Sequence, residues 1–446
     1  MKTASISGEK WRENMKKVLT AALSALLAVS MAACGSSTPA SDTEGESGNT
    51  ETTNTVETDG KIGVILVGDE NEGYTAAHIE GIKKAAEDLG ISSDKIMWKY
   101  MIEENQACAD AAEDLVDQGA TLVISNSYGH QTYMQQVAAD HEDVTFISMT
   151  GDTAANSGLA NFKNAFNQTY QSRYVSGIVG GMKLAELIEN GEVSKEKTPE
   201  AYTADGDIKI GYVGAFPYAE VVSGFTAFYL GVKAIVPNVH MIVEYTSSWA
   251  DQVAEGTTAE KLIADGCVII SQHADTTGAP SAIQAANESG KPVYSVGYNV
   301  SMLEVAPKAA LTSASNDWSV YYNYAFTQWL AGKAMDIAVD WSEGYETGAV
   351  NVTKLGDSCA AGTDAKVAEV EAAIKDGSLN VFDVSTFTYK GAELTEKDGC
   401  DLDFDGTADI FPVKDGVFYE SDTKNGFRSA PYFSFIIDGI DSNSNN

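Results

Sequence analysis

Apolar positions along the chain follow two periods that alternate. Residues 62–67 form a short continuous apolar run bounded by glycines, the pattern of a strand buried on both faces. Beyond it Ile79, Ile82, Ala85, Ala86 and Leu89 recur at helical spacing, so 76–89 reads as a helix. The alternation continues with strands at 96–101, 121–125 and 144–149 and helices at 107–117 and 130–140. A helix at 174–188 follows. The pattern then restarts with strands at 209–214, 241–245, 268–271 and 293–296 and helices at 221–234, 253–265 and 279–287. Helices of this length between apolar strands predict an α/β fold, with parallel sheets covered by helices on both faces. Two such runs in succession predict two doubly wound units of ordinary domain size. Past Trp341 the period weakens, leaving one clear helix at 365–374 among short strands and turns.

The N-terminal end has a different pattern. Lys16 and Lys17 precede an apolar stretch at 18–31, which ends in Met31-Ala32-Ala33-Cys34. A basic start, a short apolar run and small residues before a cysteine describe a secretory signal. The stretch is well short of the ~20 apolar residues that a spanning helix needs. The cysteine after the small residues resembles a bacterial lipobox. Residues 1–33 are therefore expected to be removed and Cys34 to be lipidated, holding the chain on the extracytoplasmic face of the cell membrane. Residues 34–59 are rich in Ser, Thr, Gly, Asn and Glu and lack Lys and Arg, so they cannot bury enough surface to fold and read as a tether.

Composition narrows the partners. The formal charge is −35, and losing the signal with its five basic and two acidic residues takes it to −38. So acidic a chain repels nucleic acid and anionic headgroups, and a monomer tethered near a membrane is expected. Four cysteines remain beside Cys34. Cys359 and Cys400, in the loop-rich C-terminal part, are the favoured disulfide pair in an oxidising compartment. Cys108 and Cys267 lie in apolar segments and read as small buried hydrophobes.

Open α/β sheets carry their ligands on loops after the carboxyl ends of the strands. Here those loops hold Asp69, Tyr74, Asn126 and Tyr128 in the first unit. In the second they hold Phe216, Trp249, Asp251, Gln272, His273, Asp275 and Asn299. Aromatic faces beside amides, carboxylates and hydroxyls suit a flat heterocycle, stacked on rings and read at its edge. Other readings of these residues stand beside that one: Asp69 as a helix cap, the aromatics as packing, and His273 with Asp275 as a metal or catalytic pair. The acidic run Asp401, Asp403, Asp405 and Asp409 matches part of a calcium loop, but Pro412 stands where the bidentate Glu belongs, so an acidic turn is the favoured reading. Motifs for serine hydrolases, zinc proteases and phosphate-binding loops are absent, so an enzyme is not expected and no cofactor is called for.

At these loops the sequence resembles the basic membrane protein family of ABC-transporter substrate-binding lipoproteins, the group that contains the purine nucleoside receptor. The resemblance runs from about residue 61 to 341. It is carried by Gly68-Asp69 with Gly73-Tyr74, Asn126-Ser127-Tyr128-Gly129, Gly177-Ile178-Val179-Gly180-Gly181, Gly211-Tyr212-Val213-Gly214, Ser248-Trp249-Ala250-Asp251, Ser271-Gln272-His273-Ala274-Asp275-Thr276, Val296-Gly297-Tyr298-Asn299 and Leu311-Thr312-Ser313. The resemblance implies a type I periplasmic-binding fold with two lobes, a cleft and three crossing segments near 161–164, 311–315 and 340–348. Lobe 1 would comprise 60–163 and 314–340, and lobe 2 would comprise 164–313 and 341–440, with a helix at 317–338 returning to lobe 1. It also implies delivery of a purine nucleoside or nucleobase to the permease and ATPase subunits of an importer. Tyr74 stands where the family has a stacking Phe, Asn299 where an Asp is usual, and 316–318 where a Lys is usual. Without both ribose clamps, a free nucleobase or another planar heterocycle competes with a nucleoside. A ligand sensor and an exported nucleoside hydrolase using His273, Asp275 and Asp251 are the alternatives.

Overall fold

A computed structural model describes residues 59–402 and 405–443. The signal, Cys34 and nearly all of the tether, and Asp403 of the acidic run, lie outside the described residues. Among the described residues no helix is long and apolar enough to cross a membrane.

Two sheets organise the chain. The first contains β1 (Lys61–Ile65), β2 (Ile96–Lys99), β3 (Ala120–Ser125), β4 (Thr145–Met149), β5 (Phe162–Ala165) and β11 (Asp340–Trp341). Their order is β11-β5-β4-β3-β1-β2, and every pairing is parallel. The second contains β6 (Ile208–Gly214), β7 (Val239–Tyr245), β8 (Ile269–Gln272), β9 (Tyr294–Tyr298), β10 (Ala310–Asn316), β12 (Val350–Val352) and β15 (Ile440–Asn443), in the order β12-β10-β9-β8-β6-β7-β15. Only β12 runs antiparallel there. A separate antiparallel pair joins β13 (Val413–Lys414) to β14 (Val417–Phe418). Helices cover both faces, as the near-continuous burial of β4 and β8 requires. Both sheets reverse strand order beside their first strand, between β1 and β3 and between β6 and β8, so each offers a crevice at its carboxyl edge.

Three lobe boundaries shift from those expected. Asn164 and Ala165 pair with Ser148 and Met149, so β5 finishes in lobe 1 and the first crossing follows it at 166–168. Residues 314–316 pair with β9 and β12 and stay in lobe 2. Trp341 pairs with Ala165 and stays in lobe 1. The returning helix is Ser319–Leu330, not 317–338, because the chain turns at Gly332, where φ is +70°.

Side-chain amides tie the crossings together. Asn167 Nδ2 donates to Asn316 Oδ1 at 3.2 Å and to the Ala349 carbonyl at 3.0 Å, so one residue links all three crossings. Thr169 Oγ1 donates to Asn316 Oδ1 at 2.9 Å, and the Asp317 amide to Ala349 O at 2.9 Å. The C-terminal part packs on lobe 2, where Phe418, Tyr432 and Phe433 join its core. Cys359 and Cys400 are both free: Cys359 Sγ sits 3.2 Å from Leu311 O beside β10, while Cys400 is buried at a bridge to Ile410. Cys108 and Cys267 are buried in apolar clusters.

Candidate functional site

The carboxyl edges of the two sheets face each other across a cavity of about 340 Å³. That volume lies in the ~300–1,000 Å³ range of small-molecule sites. Lobe 1 supplies Asp69, Glu72 and Tyr74 after β1, Met101 and Glu104 after β2, Ser127 and Tyr128 after β3, and Thr150 after β4. Lobe 2 supplies Glu220, Trp249, Asp275, Thr276 and Tyr298. The lobes touch at this edge: the Gly73 amide donates to Asp275 O at 3.3 Å, and the Tyr128 and Tyr218 rings lie 6.4 Å apart.

Tyr74 enters on the first turn of a helix, Gly73–Asp88, that begins three residues earlier than its apolar spacing indicates. Glu72, not Asp69, caps that helix, accepting from the amides of Tyr74 at 2.6 Å and Thr75 at 2.9 Å. Asp69 instead accepts from the Asn71 amide at 2.9 Å in a tight turn at the rim. The Tyr74 hydroxyl donates to the Asn126 carbonyl, and its ring stands edge-on to His78 and Trp318, so the side chain is held at several points. Across the cleft Trp249 meets Phe216 at 5.4 Å and Tyr218 at 6.2 Å.

Of the residues singled out from the sequence, Asp69, Tyr74, Tyr128, Trp249 and Asp275 line the cavity. The others do not. Asn126 is buried behind the wall, joining β1 to the first helix through Val67 N and Thr75 Oγ1. Gln272 spends its amide on the carbonyls of Ala274 and Thr276. Asn299, in the left-handed region at φ +60°, donates from Nδ2 to Asp275 Oδ1 at 2.7 Å. The carboxylate missing from position 299 therefore stands one hydrogen bond away, at 275. Phe216 backs Trp249 without lining the cavity, and Asp251 is an exposed cap on the amides of Val253 and Ala254. At 316–318 no cation replaces the missing Lys; Asn316 is a crossing residue, and Trp318 stacks on His78 at 4.3 Å.

Sequence reading missed Glu72, Glu104, Glu220, Arg173 and Tyr298. Tyr298 ends β9 and Glu220 follows β6, so both stand at carboxyl edges and the edge rule was sufficient to find them. Arg173 was not findable that way. It lies in the apolar face of the helix Thr169–Glu189, fully buried, donates to Gln272 O at 2.6 Å, and places its guanidinium 3.6 Å from the Tyr298 ring centre.

Burial governs the charges. His273 is pushed well below the usual histidine range by burial and by Arg173, and is neutral. Its Nε2 lies 3.3 Å from Glu220 Oε1 and its Nδ1 3.1 Å from the Tyr212 hydroxyl, so it makes no pair with Asp275. Burial pushes the Glu220 carboxyl up to about 7. Asp275 is raised well above the carboxylate range by burial, then by Glu72, Glu255 and Glu220. Among the described residues no group of side chains is placed to hold a metal ion. In the acidic run, the carboxylates of Asp401 and Asp409 accept from the loop amides of Gly406 and Leu402.

A model of the Bmp family, described as ABC transporter substrate-binding protein PnrA-like, matches residues 60–382. The purine-binding protein of Brucella abortus is 29% identical over 330 residues, covering 72% of this chain and 83% of its own length. A Haloferax volcanii protein whose name provisionally assigns it glucose binding in an ABC transporter is 28% identical, over 61% of this chain and 62% of its own length. Among solved structures, ABC transporter solute-binding proteins from Aeropyrum pernix (TM-score 0.58, 15% identity, 72% of this chain and 92% of that one) and Conexibacter woesei (0.55, 19%, 72% and 98%) share the fold. These are two-lobed type I periplasmic-binding architectures, as the sheets and crossings described above require. The chain belongs to the Bmp family of PnrA-like ABC transporter substrate-binding proteins.

Proposed function

We propose that this substrate-binding protein takes a purine nucleoside or nucleobase into its interlobe cleft and presents it to the permease of an ABC importer from the extracytoplasmic face, held there by lipid on Cys34. The cavity carries the ligand part of this reading. Tyr74 and Trp249 face it from opposite lobes, so a flat ring can be covered from both sides as the lobes close. Carboxylates at Asp275, Glu72 and Asp69 offer acceptors to ring N–H and exocyclic amino donors. The relative from Brucella abortus, named for purine binding, supports the same ligand class.

A ligand selective for the folded chain raises stability by RT ln(1 + [L]/Kd), about 2.7 kcal/mol at a hundredfold excess over Kd. A thermal-shift panel of nucleosides, nucleobases, flavins and sugars should show an upward shift with a purine. A shift with glucose and none with any purine would assign the cleft to sugars. The anchor has its own test: palmitate labelling of the expressed full chain should be lost in Cys34→Ala, and equal labelling would remove the lipid claim.

A further inference from the structure

We propose that the cleft selects planar heterocycles that carry a positive charge over neutral rings of the same shape. The proposal rests on the purine reading for the location of the site, but not for its charge preference. Five carboxylates, Asp69, Glu72, Glu104, Glu220 and Asp275, line the cavity, and no Lys, Arg or His does. The Arg173 guanidinium is turned away behind the wall, with Tyr298 covering it and Gln272 O accepting from it, and Arg428 stands in the adjoining chamber.

Two of these carboxylates have an oxygen to spare. Asp275 is only 9% exposed and lines the cavity. Its Oδ1 accepts from Asn299, and its Oδ2 has no donor among the described residues. Glu220 Oε1 lies 3.3 Å from His273 Nε2, and its Oε2 is likewise without a donor among the described residues. The two sit among other acids, and burial, aided by these neighbours, holds the Asp275 carboxyl well above its ordinary range. A bound cation favours the ionised form of these carboxyls and pairs with it, whereas a neutral ring leaves them protonated. The walls act in the same direction. Tyr74, Tyr128 and Trp249 offer electron-rich ring faces, and such faces hold cations more strongly where water is excluded. Aromatic faces alone accept any flat ring. The combination with carboxyls that each keep one oxygen free and no lining base is what favours charge.

The test is calorimetric titration of the full chain at neutral pH with pairs matched in shape and differing in charge. The pairs are 7-methylguanosine with guanosine, 1-methyladenosine with adenosine, and 1-methylnicotinamide with nicotinamide. The cationic member is expected to bind at least about tenfold more tightly in any pair that binds. Glu220→Gln and Asp275→Asn, each checked for folding by its melting temperature, should shrink that ratio. Equal or tighter binding of the neutral member in every pair that binds overturns the charge preference and leaves the purine reading intact. Binding confined to 1-methylnicotinamide overturns the purine reading while upholding the preference. Binding of no member at about 1 mM overturns both. An undiminished ratio in both variants removes these carboxylates as its source.

Discussion

Trp249 and Glu220 face the same cavity and are held in opposite ways. Trp249 is half-buried against Phe216 and Tyr218, so truncating it removes a wall of the cleft more than a part of the core. If it covers a base, Trp249→Ala should weaken ligand binding by about 1–3 kcal/mol, as stacked bases lose on such truncation. An unchanged Kd by calorimetry would take Trp249 out of the site. Glu220 bears a proton into the neutral range because burial pushes its carboxyl up to about 7 from 4.5. Between those values the folded chain keeps a proton that the unfolded chain has released. The stability that Glu220 contributes to the unliganded chain is therefore fully present below about pH 4.5 and is lost as pH rises to about 7. The groups facing Glu220 are Arg173, which opposes the shift, and a neutral His273. Glu255 and Glu420, also pushed up to about 7 by burial, pull in the same direction. Melting curves of Glu220→Gln should decline less steeply across this window than those of the parent, and superimposable slopes would refute the assignment.

Among the elements, the helix Gly73–Asp88 shows where sequence patterning succeeds and where it stops. Ile79, Ile82, Ala85 and Ala86 are buried as their spacing requires, and the strand before the helix is buried as an unbroken apolar run should be. Its first turn was not legible, because Gly73 and Tyr74 carry no apolar period and the cap is a Glu, a residue less typical of caps than Asp or Ser. In the second sheet β6, β7, β8 and β9 were legible in the same way, whereas β10, β12 and β15 were not read as strands. The crossings were not legible, since the segments near 161–164 and 311–315 are themselves strands, and only their hydrogen-bonded partners decide which sheet each joins. Gly73 stands where the two lobes meet. A Cβ there would stand 3.2 Å from Asp275 O and 3.3 Å from Val300 Cγ2, both in the opposite lobe. Gly73→Ala should therefore prop the lobes apart and weaken ligand binding, while alanine's better helix propensity leaves the unliganded melting temperature equal or higher. Tighter binding by the variant would show that the lobes do not meet here in the liganded state.

Over the whole molecule, two lobes joined by three crossings suit hinge closure. The region after residue 382, outside the family match, adds β15 to the second sheet and reaches across to the first lobe. Arg428 Nη1 donates to Asp152 Oδ2 at 3.3 Å, and Ser429 Oγ to Asp340 Oδ1 at 2.7 Å. This segment also walls a second chamber of about 470 Å³, which shares Tyr128, Glu220 and Trp249 with the first. Nothing in the weak periodicity past Trp341 signalled that contribution, because its core is aromatic side chains on short strands and turns. The ligand reading rests on the cleft between the lobes, and calorimetric titration of the full chain with adenosine, guanosine, hypoxanthine and glucose tests it most directly. One purine binding per chain, weakened about five- to 150-fold in Trp249→Ala, is the expected result. Saturable binding of glucose with no heat from any purine would contradict it.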